Sequence, residues 1–272
     1  MTEKSLADWA GLPIHWNENK DEISFDEHTA VLETKSRLRG HLRPVLPDDA
    51  ACSPADAIQY WMYNGISQPE HLDAYARLGI QYELTLLYPT LLGNELSKTL
   101  GHIHTFPPNS HINYAEVVEV VYGKAIFLFQ TMESATKTAP FCYAVHAHQG
   151  DKVVFPPNNH HLTINAGDDM LLFSDLISVE ARGNYAGLSG LGGAAYLYGT
   201  AGWSPNPNYS FVAPLKVVDA KNITAANWSP DEPLYRVIEQ SPDSLRWLAD
   251  PTLFGEFFPE MTRDLGQALS LF

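Results

Sequence analysis

From Gln81 onward the sequence is a succession of short apolar runs, YELTLLYP, AEVVEVVYG, KAIFLFQT, CYAVHAH, DKVVFPP, HLTINAG and MLLFSDL, each rich in β-branched and aromatic residues. Gly, Pro, Asn or Asp interrupts them about every 8 to 12 residues, a rhythm that predicts short strands joined by tight turns. Strands of that length and spacing build a sandwich or a barrel, so the expected fold class is all-β.

The flanks read differently. Residues 1–54 are mixed and polar with scattered prolines, which predicts an irregular arm carrying one or two strands around Thr29 to Glu33. DAIQYWMYNGI (56–66) predicts a further strand. GNYAGLSGLGGAAYLYG (183–199) is glycine-rich, but no G-x-G-x-x-G lies between a strand and a helix, so it reads as a loop whose backbone passes close to something bulky. FVAPLKVVDA predicts one more strand pair. The C-terminal run SPDSLRWLADPTLFGEFFPEMTRDLGQALSLF has helical texture, with Ser241 or Asp243 as a cap and Pro251 and Pro259 as interruptions. The expected division is an arm over 1–55 packing on the barrel, a barrel with the functional site over 56–200, and an extension of a strand pair plus short helices over 201–272.

The chain of 272 residues carries 32 acidic and 17 basic residues, a net charge of −15. Such a field repels phosphate backbones and anionic lipid, which argues against nucleic acid and membrane surfaces and favours a small-molecule partner. An anionic substrate would need local hydrogen-bond donors or a bound cation to overcome it. The opening MTEKSLADWAGLP lacks the pattern of a secretion signal, and no stretch approaches the roughly 20 apolar residues of a membrane span, so a cytoplasmic protein is expected. Cys52 and Cys142 form no C-x-x-C pair and read as inert thiols in a reducing compartment.

The chemistry concentrates in TLGHIHTF (99–106). On a strand, His102 and His104 point to one face, about 7 Å apart along the chain. In AEVVEVVYG, Glu116 shares a face with Val118, Val120 and Tyr122, while Glu119 falls opposite with Val117 and Val121. A lone inward carboxylate is costly unless it is paired or coordinates a cation. GDKVVFPPNNHHLTIN (150–165) then supplies His161, completing a mixed N/O set suited to a first-row divalent metal. Four other histidines fit other places: His111 in a solvated loop, His160 on the face opposite His161, and His146 and His148 at the end of a surface strand.

Gly150, Pro156, His161 and Asn165 are spaced as in the second cupin motif, with Asn158 at a position usually held by Gly. His102-x-His104 with Glu116 and Gly123 resembles the first cupin motif, its spacer expanded to eleven residues. Within the cupins, LLYPTLLGNELSKTLGHIHT together with AEVVEVVYGKAIFLFQ and VVFPPNNHHLTINAGD resembles the cupin-type glucose-6-phosphate isomerases of archaea, as does YWMY (60–63). The likeness spans about Asp56 to Gly167; KSRLRG (35–40) resembles the family only faintly.

That resemblance implies a double-stranded β-helix, or jelly-roll barrel, to which the N-terminal arm and the partly helical C-terminal extension read from the flanks are added. It implies one divalent metal ion (Fe, Mn, Ni, Co or Zn) held by His102, His104, Glu116 and His161, and a sugar phosphate gripped by Tyr60, Thr85, Thr99 and the backbone of Gly101. It implies a homodimeric aldose–ketose isomerase of glycolysis and gluconeogenesis interconverting glucose 6-phosphate and fructose 6-phosphate, with Glu116 as the catalytic residue and either Glu116 or a metal-bound water as the base; proton and hydride transfer both remain open. Two departures bear on the substrate half. Val118 stands where the family usually has Tyr, and the usual Tyr and His after the second motif have no clean match in Asp175 to Tyr185, where Tyr185 or Asn184 are the substitutes at hand. The competing readings are an iron-dependent cupin dioxygenase and a sugar-binding cupin without catalysis.

Overall fold

A computed structural model of the chain describes residues 3–17, 22–47, 49–220, 228 and 231–261. Nine strands carry the architecture: β1 Ala30–Leu38, β2 Ile58–Ser67, β3 Ile80–Leu87, β4 Glu116–Tyr122, β5 Lys124–Glu133, β6 Thr138–His148, β7 Lys152–Phe155, β8 His160–Asn165 and β9 Leu171–Ser178. One antiparallel sheet has the order β7-β4-β9-β3-β2-β1. The other has the order β8-β5-β6. From β4 to β9 the chain passes back and forth between the sheets, entering the second at β5, returning at β7, and crossing again at β8 and β9. This alternation is the double-stranded β-helix of a cupin barrel.

Period-2 alternation decides what lies inside. Leu87, Val118, Val120, Phe127, Phe129, Phe155 and Phe173 belong to the core between the sheets. Tyr82, Leu84, Leu86, Val117, Val121, Leu172 and Leu176 belong to a second core on the outer face of the larger sheet. That face is covered by Leu6, Leu12, Ile14 and Trp16 from the N-terminal segment and by Leu234, Tyr235, Trp247, Phe254 and Phe258 from the C-terminal extension. With both faces covered, β9 is buried at every position. Each large apolar side chain so buried stabilises the fold by roughly 1.5–3 kcal/mol, which gives the apolar tail a structural role within its own chain.

Several expectations change in detail. Tyr122 does not share the face of Glu116. The ladder between β4 and β9 pairs Leu172 with Tyr122 but Phe173 with Val120, so Val121 is an extra residue and the alternation inverts there. Tyr122 consequently packs outside, its ring 5.2 Å from that of Trp16. β1, from the segment read as an arm, pairs along β2 and forms the edge of the larger sheet. Ahead of it, Glu3–Ser5, Ile14–Asn17 and Glu22–Phe25 make a small antiparallel sheet. The segment FVAPLKVVDA yields two short strands, Phe211–Val212 and Lys216–Asp219, which do not pair with each other; both add in parallel to β6. In the C-terminal extension Ser241 stands at the N-cap of the short helix Pro242–Leu245 without a side-chain cap bond, whereas Asp250 caps the later turn Pro251–Leu253 by accepting from Thr252 N at 3.1 Å. The last residues of that run, 262–272, lie outside the described residues. Among the described residues no helix is long and apolar enough to cross a membrane.

Candidate metal centre

The histidine-bearing segment is positioned by backbone hydrogen bonds to β8. Asn165 N donates to Ser97 O at 2.8 Å, and Thr99 N donates to Thr163 O at 2.8 Å. His102 and His161 exchange both bonds of an antiparallel pair, at 3.0 and 2.8 Å. His102 therefore stands directly opposite His161, with ring centroids 4.5 Å apart. His104, two residues on, shares that face, its ring 4.8 Å from each of the other two. Glu116 enters from the first position of β4. One ligand atom from each of His102, His104, Glu116 and His161 lies within 4.8 Å of all the others, a group able to hold a metal ion.

The hydrogen bonding around these side chains favours a cation. His104 Nδ1 lies 3.1 Å from Tyr114 O, and His161 Nδ1 lies 3.3 Å from Asn159 O. A carbonyl can only accept, so each ring carries its proton on Nδ1 and turns the lone pair of Nε2 inward. Both inward nitrogens sit 3.3 Å from Glu116 Oε2. His161 Nε2 is buried and makes no hydrogen bond. Two lone-pair nitrogens facing one carboxylate oxygen in a buried site are mutually repulsive without a positive charge between them, which a divalent ion would supply.

The protonation states agree. Burial, then the fields of His161 and His104, hold His102 well below the usual imidazole range. Burial, then His161, brings His104 down to about 4. Burial works to raise the Glu116 carboxyl, but the close approach and fields of His161 and His104 outweigh it and leave the group lowered. At neutral pH His102 and His104 present neutral imidazoles and Glu116 an ionised carboxylate.

A supporting layer fixes the ligand loops. Asn158 adopts the left-handed conformation at φ +62°, which accounts for the usual Gly at that motif position; Asn is among the few other residues that tolerate it. Its Oδ1 accepts from Asn113 N at 3.1 Å, while Asn113 Nδ2 donates to the carbonyl of His104. The two histidine-bearing loops are thereby tied to each other.

The other expected site residues lie close by, with part of their hydrogen-bonding capacity already used. Tyr60 is buried in β2 and its hydroxyl accepts from Leu100 N at 3.3 Å. Thr99 Oγ1 accepts from Thr163 N at 3.0 Å. Thr85 is buried on the inward face of β3, opposite Met62 and Phe173. Gly101 has φ +75°, and a Cβ there would lie 2.8 Å from Leu188 Cδ1, 3.0 Å from Leu162 Cβ and 3.1 Å from His161 O. Packing against β8 alone thus requires glycine. Val118 is buried inside the barrel opposite Asp175.

Of the substitutes in the late segment, Tyr185 comes to the site. Gly183 pairs with His104 and Asn184 with Ile103, which lays the Tyr185 ring 5.4 Å from that of His102. Asn184 is exposed, and its Oδ1 accepts from Ala186 N. His111 is exposed, as are His148 and part of His146. His160 does point away from His161, but it is buried beneath the short helix Ala186–Gly190: a Cβ on Gly187 would lie 2.6 Å from its Nε2.

Two further acids face the barrel interior. Asp175 and Glu83 are direct partners across β9 and β3, on the faces that also carry Phe173 and Thr85. Burial, then the charge of Glu116, pushes Glu83 up to about 7. Burial, then Glu83 and Glu116, pushes Asp175 well above the carboxylate range. Alternation in YELTLL would have revealed Glu83 once Thr85 was assigned inward, since the two share a face.

Comparison with known proteins follows the same lines. A profile of the glucose-6-phosphate isomerase family matches residues 36–212. Glucose-6-phosphate isomerase of Thermococcus litoralis is 34% identical over 106 residues, 39% of this chain and 50% of the relative. That of Pyrococcus abyssi is 31% identical over 106 residues, again 39% and 50%. The chain thus spans about half the length of these relatives. Among solved structures, a 7S globulin of Momordica charantia aligns at 14% identity over 56% of this chain and 34% of its own, with a TM-score of 0.33. The family profile covers well over half of the sequence, and the chain belongs to the glucose-6-phosphate isomerase family.

Proposed function

We propose that the chain is a metal-dependent aldose–ketose isomerase acting on a hexose 6-phosphate, interconverting glucose 6-phosphate and fructose 6-phosphate. The observation that carries this reading is the convergence of three imidazoles and one carboxylate within 4.8 Å in a member of this family, with a buried lone-pair nitrogen left unsatisfied. His102, His104, Glu116 and His161 would hold a divalent ion, Fe, Mn, Ni, Co or Zn, whose charge would polarise the sugar oxygens.

The chain's own residues then divide acid from base. Glu116 is ionised at neutral pH, and only its Oε2 faces the imidazoles of His104 and His161. Its carboxylate takes the proton from C2 of the open-chain aldose; the C2–H electron pair forms the C1=C2 bond of an enediol as O1 gains a proton. Return of the proton from Glu116 to C1, with loss of the O2 proton, gives the ketose. Asp175 retains its proton at neutral pH and Glu83, raised to about 7, holds one below that; in their protonated forms both serve as O–H donors to sugar oxygens. Thr85, Thr99 and Tyr60 contribute hydroxyls along the same wall.

The test is a coupled fructose 6-phosphate assay on protein stripped of metal and reloaded with each ion in turn, alongside His104→Ala. The expected result is turnover that disappears on stripping, returns on reloading, and is lost together with metal uptake in the variant. Full activity in metal-free protein refutes the assignment.

A further inference from the structure

The run KSRLRG spans the end of β1 and the start of the 3-10 helix Arg39–Val45, outside every part of the site described so far. Register gives one of its residues a place in it. Arg37 pairs directly with Tyr60, which in turn pairs with Leu87, and both of those partners face the barrel interior. A terminal nitrogen of the guanidinium donates to the Tyr185 hydroxyl at 3.4 Å, and its carbon stands 5.4 Å from the centre of the Tyr185 ring. That ring is the one packed against the ligand His102. A single side chain therefore separates the guanidinium from the metal centre.

The sequence has nearly two acids for each base, and several cations are paired: Lys35 with Glu33 at 2.6 Å, Lys98 with Glu95 at 2.6 Å, Lys152 with Glu119 at 2.8 Å, and Arg236 with Glu239. Among the described residues Arg37 has no carboxylate within ion-pair distance, and its Nε is buried without a hydrogen-bond partner. A half-buried guanidinium with unspent donors is a costly arrangement unless an anion occupies its planar fork. The cavity acids stay clear of it. Glu83 pairs with Asn64, which pairs with Glu33, four residues along β1 from Arg37. That offset is about 13 Å of strand. The barrel wall consequently has a cationic pole at Arg37 and a carboxyl pole at Glu83 and Asp175.

We propose that Arg37, held in place by Tyr185 and Tyr60, is the specificity-determining residue that binds the anionic phosphoryl group of the substrate while the sugar chain extends toward the metal ligands. This rests on the sugar-phosphate reading above. It supplies the positive charge that the hydroxyls of Tyr60, Thr85 and Thr99 lack, and it makes recognition depend on a doubly anionic group that accepts from the planar fork of the guanidinium.

The experiment is calorimetric binding of the unreactive pair glucitol 6-phosphate and glucitol to the full chain as purified, for the native sequence, Arg37→Met and Arg37→Lys, with metal content measured throughout. Loss of two charge-assisted hydrogen bonds should weaken glucitol 6-phosphate about a hundredfold in Arg37→Met. Glucitol binding and metal content should be unchanged, and Arg37→Lys should recover part of the loss. Equal weakening of both ligands, no weakening of either, or failure of the native protein to prefer the phosphorylated ligand overturns the proposal. A turnover assay on the same samples separates the two readings. Selective phosphate loss without any native turnover sinks the isomerase and keeps the anchor; native turnover with an unaltered KM for fructose 6-phosphate in Arg37→Met does the reverse.

Discussion

Gly101→Ala tests whether the paired-histidine segment is held by packing or kept open for a ligand. At φ +75° an alanine meets the left-handed penalty of about 1–2 kcal/mol. Its Cβ also arrives 2.8 Å from Leu188 Cδ1 and 3.0 Å from Leu162 Cβ, inside ordinary contact distance. Overpacking of that kind costs about 1–3 kcal/mol, so the variant should lose about 3 kcal/mol of stability, read from urea unfolding. The strain falls on the backbone bridge between His102 and His161. Metal affinity should therefore drop by about 10- to 100-fold, as for other groups that orient ligands. In Gly101→Ala/Leu188→Ala the nearest clash is gone, and the two changes should couple favourably by about 1–2 kcal/mol even though the truncation of Leu188 is costly in itself. Native-like stability and metal affinity combined with selective loss of glucitol 6-phosphate binding would refute this reasoning. Such a result would mean that Gly101 is needed for its backbone approach to phosphate, the role the family resemblance implied.

Two further predictions concern stability. Burial, then the field of His161, lowers His160 to about 4, whereas in the unfolded chain it titrates near 6.5. The neutral ring favours the fold above pH 6.5, and that contribution is lost as pH falls from 6.5 through 4, about 3 kcal/mol in all. His160→Leu should flatten urea midpoints over that window by this amount, and parallel curves for the two proteins would contradict it. His104 adds a slope of the same sign, while Glu83 and Glu119, both raised to about 7, oppose it between 4.5 and 7. Trp247→Ala, in the core between the C-terminal extension and the larger sheet, should cost about 3–5 kcal/mol in unfolding and leave ligand geometry intact; unchanged stability would mean that the extension does not hold the barrel.

The strands from Gln81 to Ser178 were legible because their alternation and turn residues are local. So was the clustering of His102, His104, Glu116 and His161, since each sits at a period-2 position fixed by a strand or a bridge. What escaped depends on long-range facts. The extra residue Val121 inverts Tyr122 only through its ladder with β9. Asp175 gave no signal because both faces of β9 are covered, so a polar residue there marks no particular side. Arg37 acquires meaning only through its register with Tyr60 and the path that brings Tyr185 back to His102. His160 was oriented correctly, but nothing local announced the helix that buries it.

The most direct measurement is X-ray absorption at the metal edge of zinc-loaded protein, with metal stoichiometry, for the native chain and His161→Ala. One ion per chain should be coordinated by three imidazole nitrogens at about 2.0–2.1 Å and a carboxylate oxygen, with one imidazole missing from the variant. A shell with fewer than three histidines, or a spectrum indifferent to the loss of His161, would contradict a centre built from both histidine-bearing loops.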